Sequence, residues 1–187
     1  MKTRLTLLAA MLLAGCGAET PRGPASDAAI AALAGAEAQF RSILPRAIFA
    51  TQSMAMASYN LGIAENCAIV RPQFDAAINR HLPAWRSNLV KAYRDNVPEA
   101  KLAKVAAEGK SGLDTLRPYI AKIAAQMQAT SMPLLQEAAA DVVTPSVEAG
   151  MKIEFKSVDG AARQREMEAA KADGTLFCGL LTSQEMK

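Results

Sequence analysis

The sequence predicts an all-α domain, a single helical bundle of five or six helices, with room for a minor two-stranded element near the C-terminus. Apolar residues recur at steps of three and four through most of the chain, the spacing that lines one face of a helix. Alanine is abundant and aromatics make up only 5% of the residues, a composition suited to closely packed helices. Helix start signals stand before several of the apolar runs.

The first such face is Ile30, Leu33, Phe40, Leu44 and Ile48, with Glu37 as its one polar break. Pro45 predicts a kink or a split into two helices, because proline lacks the donor that a helix interior uses. Met54 and Tyr59 continue the second piece, and Gly62 ends it. Phe74, Ile78, Trp85 and Leu89 share the next face, with a bend expected at Pro83 and Tyr93 near the end. Asn96-Val97-Pro98-Glu99 reads as a capping box, Asn96 being the N-cap and Glu99 reaching back. It opens a short helix that stops at Gly109. Ser111-Gly112-Leu113-Asp114 reads as another cap, before a seam of Leu113, Leu116, Ile120, Ile123 and Met127. Pro118 lies in its first turns and can shift the start. A further helix is expected from Ser131 and Pro133 through Leu135, Ala139 and Val142, fading near Pro145 or Gly150.

Residues 161–172 are strong helix formers. Met151, Ile153 and Phe155 alternate with charged residues, a strand-like pattern. One strand cannot satisfy its own backbone, and residues 176–181 are the only other candidate. A helical continuation is the alternative.

The N-terminus reads differently. Lys2 and Arg4 precede the apolar run Leu5–Leu13, which is too short to span a bilayer core of ~20 helical residues. This is the pattern of a secretory signal. The four residues Leu13-Ala14-Gly15-Cys16 resemble the lipobox of bacterial lipoproteins. The resemblance implies removal of residues 1–15, diacylation of the Cys16 thiol and attachment to a membrane through that lipid. Ordinary cleavage nearby, for example after Ala18, is the alternative. In lipoproteins of this kind an Asp after the cysteine favours the inner membrane. Gly17 therefore points to the periplasmic face of the outer membrane, for a Gram-negative host. Residues 16–26 form a flexible tether, and the helical domain occupies residues 27–187.

Lys2 and Arg4 are two of the 21 basic residues, and none of the 18 acidic residues lies in the signal. The remainder has 19 basic residues against 18 acidic ones, net +1, so no strongly basic surface argues for nucleic acid. Lys152, Lys156, Arg163, Arg165 and Lys171 interleave with acidic residues and read as a solvated face. Export places Cys67 and Cys178 in an oxidising compartment, where such a pair tends to bridge. Two buried free thiols are the alternative.

The run Tyr93…Asn96-Val97-Pro98-Glu99…Leu102…Gly109-Lys110-Ser111-Gly112…Leu116…Met127…Pro133-Leu134-Leu135 is similar to an uncharacterised family of small helical periplasmic bacterial proteins. It covers about a quarter of the chain. It implies an all-α periplasmic fold and carries no catalytic residues. Glu108–Gly112 departs from that family, which has an aromatic residue and a Ser-Pro turn there.

Candidate chemistry is sparse. His81 is the one histidine, and no Gly-x-Ser-x-Gly elbow is present. One histidine without Cys-x-x-Cys excludes the common zinc patterns. Met54 and Met56 could suit Cu(I), but positions two apart on a helix diverge. Gly109-Lys110-Ser111 lacks the upstream glycine and strand of a phosphate loop. The sequence thus predicts no enzyme, no cofactor and no metal. It predicts a membrane-tethered interaction module with an envelope protein partner. The second expectation is a carrier or sensor of an apolar small ligand held between helices, near Met54, Met127 and Met132.

Overall fold

The computed structural model describes residues 23–154 and 158–181. Among these the domain is all-α, with seven α-helices and no strand, against the five or six expected. Two short 3₁₀ segments complete it.

Helix α1 (Asp27–Leu33) starts at Ser26, whose Oγ accepts from the Ala29 backbone N–H at 3.1 Å. Gly35 then takes φ 64°, a left-handed conformation that costs glycine little, and α2 (Ala36–Phe49) begins. The break therefore falls at Gly35, not at Pro45, which lies inside α2 one turn before its end. Burial of Phe40, Leu44 and Ile48 spans Pro45 and holds that turn helical.

Helix α3 (Gln52–Leu61) is a separate element, capped by the Thr51 hydroxyl. Gly62 ends it as expected, at φ 89° and ψ 159°. Helix α4 (Ile63–Asn96) runs unbroken through Pro72 and Pro83. Its buried positions, Cys67, Val70, Phe74, Ile78, Leu82, Trp85, Leu89 and Tyr93, keep one stripe on both sides of each proline. That stripe outweighs the local cost of about 3 kcal/mol per interior proline.

The expected capping box at residues 96–99 does not form. Asn96 stays inside α4, where its Nδ2 donates to the Ala92 carbonyl and to Gln126 Oε1. Val97, extended before proline, makes the turn, and α5 (Glu99–Glu108) starts without a side-chain cap. Glu99 instead accepts from the Ala25 backbone N–H and from Arg94. Ala25, placed in the tether by sequence, is buried against this corner.

Gly109 ends α5 as expected. Residues Gly109–Leu116 then wind as a 3₁₀ segment, with Ser111 Oγ donating to the Glu108 carbonyl instead of capping a helix. Helix α6 (Arg117–Gly150) carries Pro118 in its first turn and continues through Pro133 and Pro145. The two helices expected here are thus one. Its buried face steps by fours through Ile123, Met127 and Ser131, then passes over small residues to Val142, Ser146 and Gly150. At Gly150 a Cβ would stand only 3.3 Å from the Ala57 Cα, so this glycine permits α3 and α6 to approach closely.

The α4–α6 pair forms the centre of the bundle. His81 meets Asp141, Asn88 meets Ser131, and Asn96 meets Gln126. Rising numbers on α4 pair with falling numbers on α6, so the two are antiparallel. Helix α2 packs across both, with Phe40 stacked on Trp85 at 5.1 Å between ring centroids.

After α6, residues 151–154 form a turn and an irregular stretch, while residues 155–157 lie outside the described residues. Helix α7 (Gly160–Asp173) is capped by Asp159. Thr175–Phe177 is a 3₁₀ turn, so the strand alternative fails at 176–181. With no partner strand there, the local alternation at 151–154 has no ladder to join. This tail is fastened at several points. Cys178 is joined to Cys67 by a disulfide, and its carbonyl accepts from Arg71 Nε at 2.9 Å. Phe177 meets Phe49 edge-on. From α7, Glu166 accepts the Ile63 backbone N–H at the start of α4 and pairs with Arg163.

Candidate functional site

Three cavities and one polar cluster merit comparison. The polar cluster is His81, Arg80 and Asp141. The His81 ring is buried and its Nε2 lies 2.7 Å from Asp141 Oδ2, the same oxygen that accepts from Arg80 Nη1 at 2.9 Å. A nucleophile is what would turn such a pair into a catalytic relay. Among the described residues His81 makes no hydrogen bond to a serine, threonine or cysteine. The cluster ties α4 to α6.

A cleft of about 910 Å³ lies between α1, α2 and α4. Alanines 28, 31, 32, 36 and 38 line it, together with charged side chains. Those charges answer one another: Arg86 with Glu37, Arg94 with Asp27, and Lys91 with Asp95. A smaller cavity of about 360 Å³, under α7, contains the Arg163–Glu166 pair. Burial pushes the Glu166 carboxyl up, but the Ile63 N–H and Arg163 outweigh it and hold the group below the usual carboxylate range.

The third cavity is chemically distinct. It is a groove of about 370 Å³ between α2, α4 and α6. Ile43 comes from α2, and Trp85, Leu89 and Tyr93 come from α4 at steps of four. Ile123, Met127 and Leu135 come from α6. Ile120 and Met132, 47% and 44% exposed, stand at its mouth. Gln39, Gln128 and Ser131 are its polar side chains apart from the Tyr93 hydroxyl and the Trp85 indole, and no charged residue lines it. Burial raises the pKa of the Tyr93 phenol, which keeps it neutral. The volume falls within the ~300–1,000 Å³ of ligand pockets, and the chemistry matches their mainly apolar lining with a few polar groups.

One lining residue carries an unmet hydrogen bond. Trp85 is 5% exposed and its Nε1 donor is buried without an acceptor among the described residues. Leaving such a donor unpaired costs about 1–3 kcal/mol. Asn66 Oδ1 and Ser146 Oγ are also buried and unpaired, but neither residue lines any of the three cavities.

Cys16 lies outside the described residues, as do residues 1–15, expected to be a signal, and most of residues 16–26, expected to be a tether. Met127 and Met132 line the groove together, whereas Met54 is fully buried elsewhere and accepts from Asn66 Nδ2. Met56 is exposed on the opposite side of α3 from Met54. No group of three His, Cys, Asp or Glu able to hold a metal occurs among the described residues. No helix among them is long and apolar enough to cross a membrane.

The sequence places Trp85 and Leu89 on one helical face and Tyr93 near its end, and does not single them out as a binding wall. The seam Leu113–Met127 has the three-four spacing of a face packed on one partner helix, so the sequence carries no separate signal for the groove. In the structure Leu116, Ile123 and Met127 are buried, while Leu113 and Ile120 are exposed.

No family model, curated protein or solved structure matches this chain. The resemblance over residues 93–139 rests on those residues alone.

Proposed function

We propose that this protein is a lipoprotein of the bacterial cell envelope, tethered through Cys16, whose helical domain carries or senses an apolar small molecule. The observation supporting the binding role is the uncharged groove between α2, α4 and α6, open past Ile120 and Met132. Apolar area removed from water supplies the driving force, about 0.8 kcal/mol per buried methylene. Roughly ten buried methylenes offer ~8 kcal/mol before association costs. An occupant therefore needs a long apolar body to reach micromolar affinity. Met127 and Met132 have flexible thioether chains that adapt to such a body.

Uptake of the neutral dye N-phenylnaphthylamine tests the groove. Saturable fluorescence enhancement, lost in Ile120→Lys with an unchanged melting temperature, is the expected result. No enhancement with the wild-type chain would overturn the binding role. The tether has its own test. Palmitate labelling should be lost in Cys16→Ser, and labelling that persists would contradict the lipobox reading.

A second reading, a membrane-tethered interaction module, is favoured by the cleft beside α1. It opens next to Asp27, close to where the chain leaves toward the tether, and its rim carries charges of both signs. In vivo crosslinking from Ala28 to an envelope protein would support that reading, and an absence of reproducible products would count against it.

A further inference from the structure

The chain leaves the domain at the end of the bundle where the groove opens. We propose, resting on the Cys16 tether and the binding role above, that the domain docks on the bilayer through the N-terminal half of α6, so that the groove opens onto the lipid phase.

The first observation is the exit point. Ala25 is buried, its N–H donates to Glu99 Oε1 at 2.9 Å and its carbonyl accepts from Arg94 Nη2 at 2.7 Å. These bonds pin the chain beside the end of α4. There Asn96 bonds to Gln126 of α6. Ile120 and Met132 each lie six residues from Gln126, about 9 Å of helix. Cys16 is nine positions before Ala25, which at full extension is about 30 Å. Lipid on Cys16 therefore holds this end of the bundle close to the bilayer. The contact of α6 with α3 at Gly150 and Ala57 is 24 residues beyond Gln126, about 36 Å further along the helix.

The second observation is the character of the α6 surface. Over residues 118–136 Lys122 is the one charged residue. Ile123, Met127 and Ser131 are buried in the bundle, whereas Ile120, Ala121, Ala124, Ala125, Gln128 and Met132 are exposed. The outward face of a surface helix ordinarily carries charge, and exposed apolar surface marks a site of interaction. Lys122 stands about 200° round the helix from Ile120, and its long side chain lets the ammonium stay among headgroups.

The third observation selects a bilayer as the occupant. Ile120 and Met132, 47% and 44% exposed, belong both to this face and to the groove's mouth. A second copy seated there would close the mouth. A bilayer receives the two side chains and sets the mouth against acyl chains, the phase in which an apolar ligand resides. Two side chains alone hold a protein weakly to lipid, but the tether makes the contact intramolecular, where weak docking suffices.

The test places an environment-sensitive fluorophore on the lipidated full chain in vesicles of phosphatidylethanolamine and phosphatidylglycerol. It is attached at Ile120→Cys, at Met132→Cys or at Met56→Cys, a control on α3 that is 59% exposed. Cys16 carries lipid and Cys67 bridges to Cys178, so the introduced thiol is the one that reacts. Each variant is first checked for retained helical circular dichroism. Phospholipid brominated along its acyl chains should quench emission at 120 and 132 and leave it unchanged at 56. Equal quenching at all three positions, or none at 120 and 132, would overturn the docking while leaving the groove and the tether standing. A Cys16→Ser chain that dimerises in solution and shields both positions from iodide would assign the face to a second copy, and overturn the docking too. A chain that does not join the vesicles at all would overturn the docking and the tether together.

Discussion

Cys67 and Cys178 join α4 to the last described segment of the chain, 111 residues apart. Replacing both with alanine removes that constraint from the unfolded chain. The chain-entropy relation for a loop of this length gives about 16 cal/mol/K, or about 4.8 kcal/mol at 25 °C. For a domain of this size that corresponds to a fall in Tm of ~10–20 °C. The native contacts around the bridge do not depend on it wholly. Arg71 still donates to the Cys178 carbonyl, Phe177 still packs on Phe49, and Glu166 still caps α4. The double variant should therefore fold with unchanged helical circular dichroism and melt earlier. Differential scanning calorimetry of oxidised wild type, reduced wild type and the double variant measures the effect. The two thiol-free or reduced forms should agree within a few degrees. A fall under about 5 °C would refute the entropic argument. Two titratable thiols in the denatured, unreduced protein, beyond Cys16, would refute the bridge itself.

Gly62 adopts φ 89° and ψ 159°, a region essentially confined to glycine, and a Cβ there would run into the Arg163 guanidinium. Gly62→Ala should lose about 1–3 kcal/mol in urea unfolding, and an unchanged midpoint would contradict the assigned conformation. Glu166 has a carboxyl held below its ordinary range by the Ile63 N–H and Arg163, against the opposing effect of burial. Its contribution is complete above the unfolded-state pKa, near pH 4, and is lost as pH falls through the lower folded-state value. Glu166→Gln should therefore melt earlier at neutral pH and show a flatter acid limb between about pH 5 and pH 2. Parallel acid limbs in the two proteins would exclude this role. Asp141→Ala leaves the buried His81 Nε2 and Arg80 without their shared acceptor. A loss of about 1–3 kcal/mol is expected in chemical denaturation, and none would mean the cluster does not tie α4 to α6.

The fold class was legible because it depends on long-range averaging of apolar periodicity. The stripes through Phe40–Ile48 and Phe74–Leu89 predicted their faces correctly. Boundaries were less legible wherever proline occurred. Pro45 suggested a kink or a break, Pro83 a bend and Pro133 a helix start, and each lies within a continuous helix whose buried residues flank it on both sides. Local preference lost to packing that one sequence window does not contain. The cap at Asn96 failed for a similar reason. Its amide bridges to Gln126, 30 positions away, and no spacing rule anticipates that contact. Gly62, Gly109 and the helix after Asp159 were readable because their determinants are local. The groove was the least legible feature. Its residues come from three helices, and an apolar position facing a gap is indistinguishable in sequence from one facing a neighbour.

Trp85 is the single tryptophan of the chain and lines the groove, so its emission reports directly on occupancy. Titration with a dibrominated methyl stearate, whose bromines quench indole only at near contact, is the most direct measurement. Saturable quenching in the micromolar range is expected, abolished in Ile120→Lys and matched by one bound molecule in native mass spectrometry. Emission that stays unquenched at saturating probe would contradict the claim that this groove holds an apolar ligand.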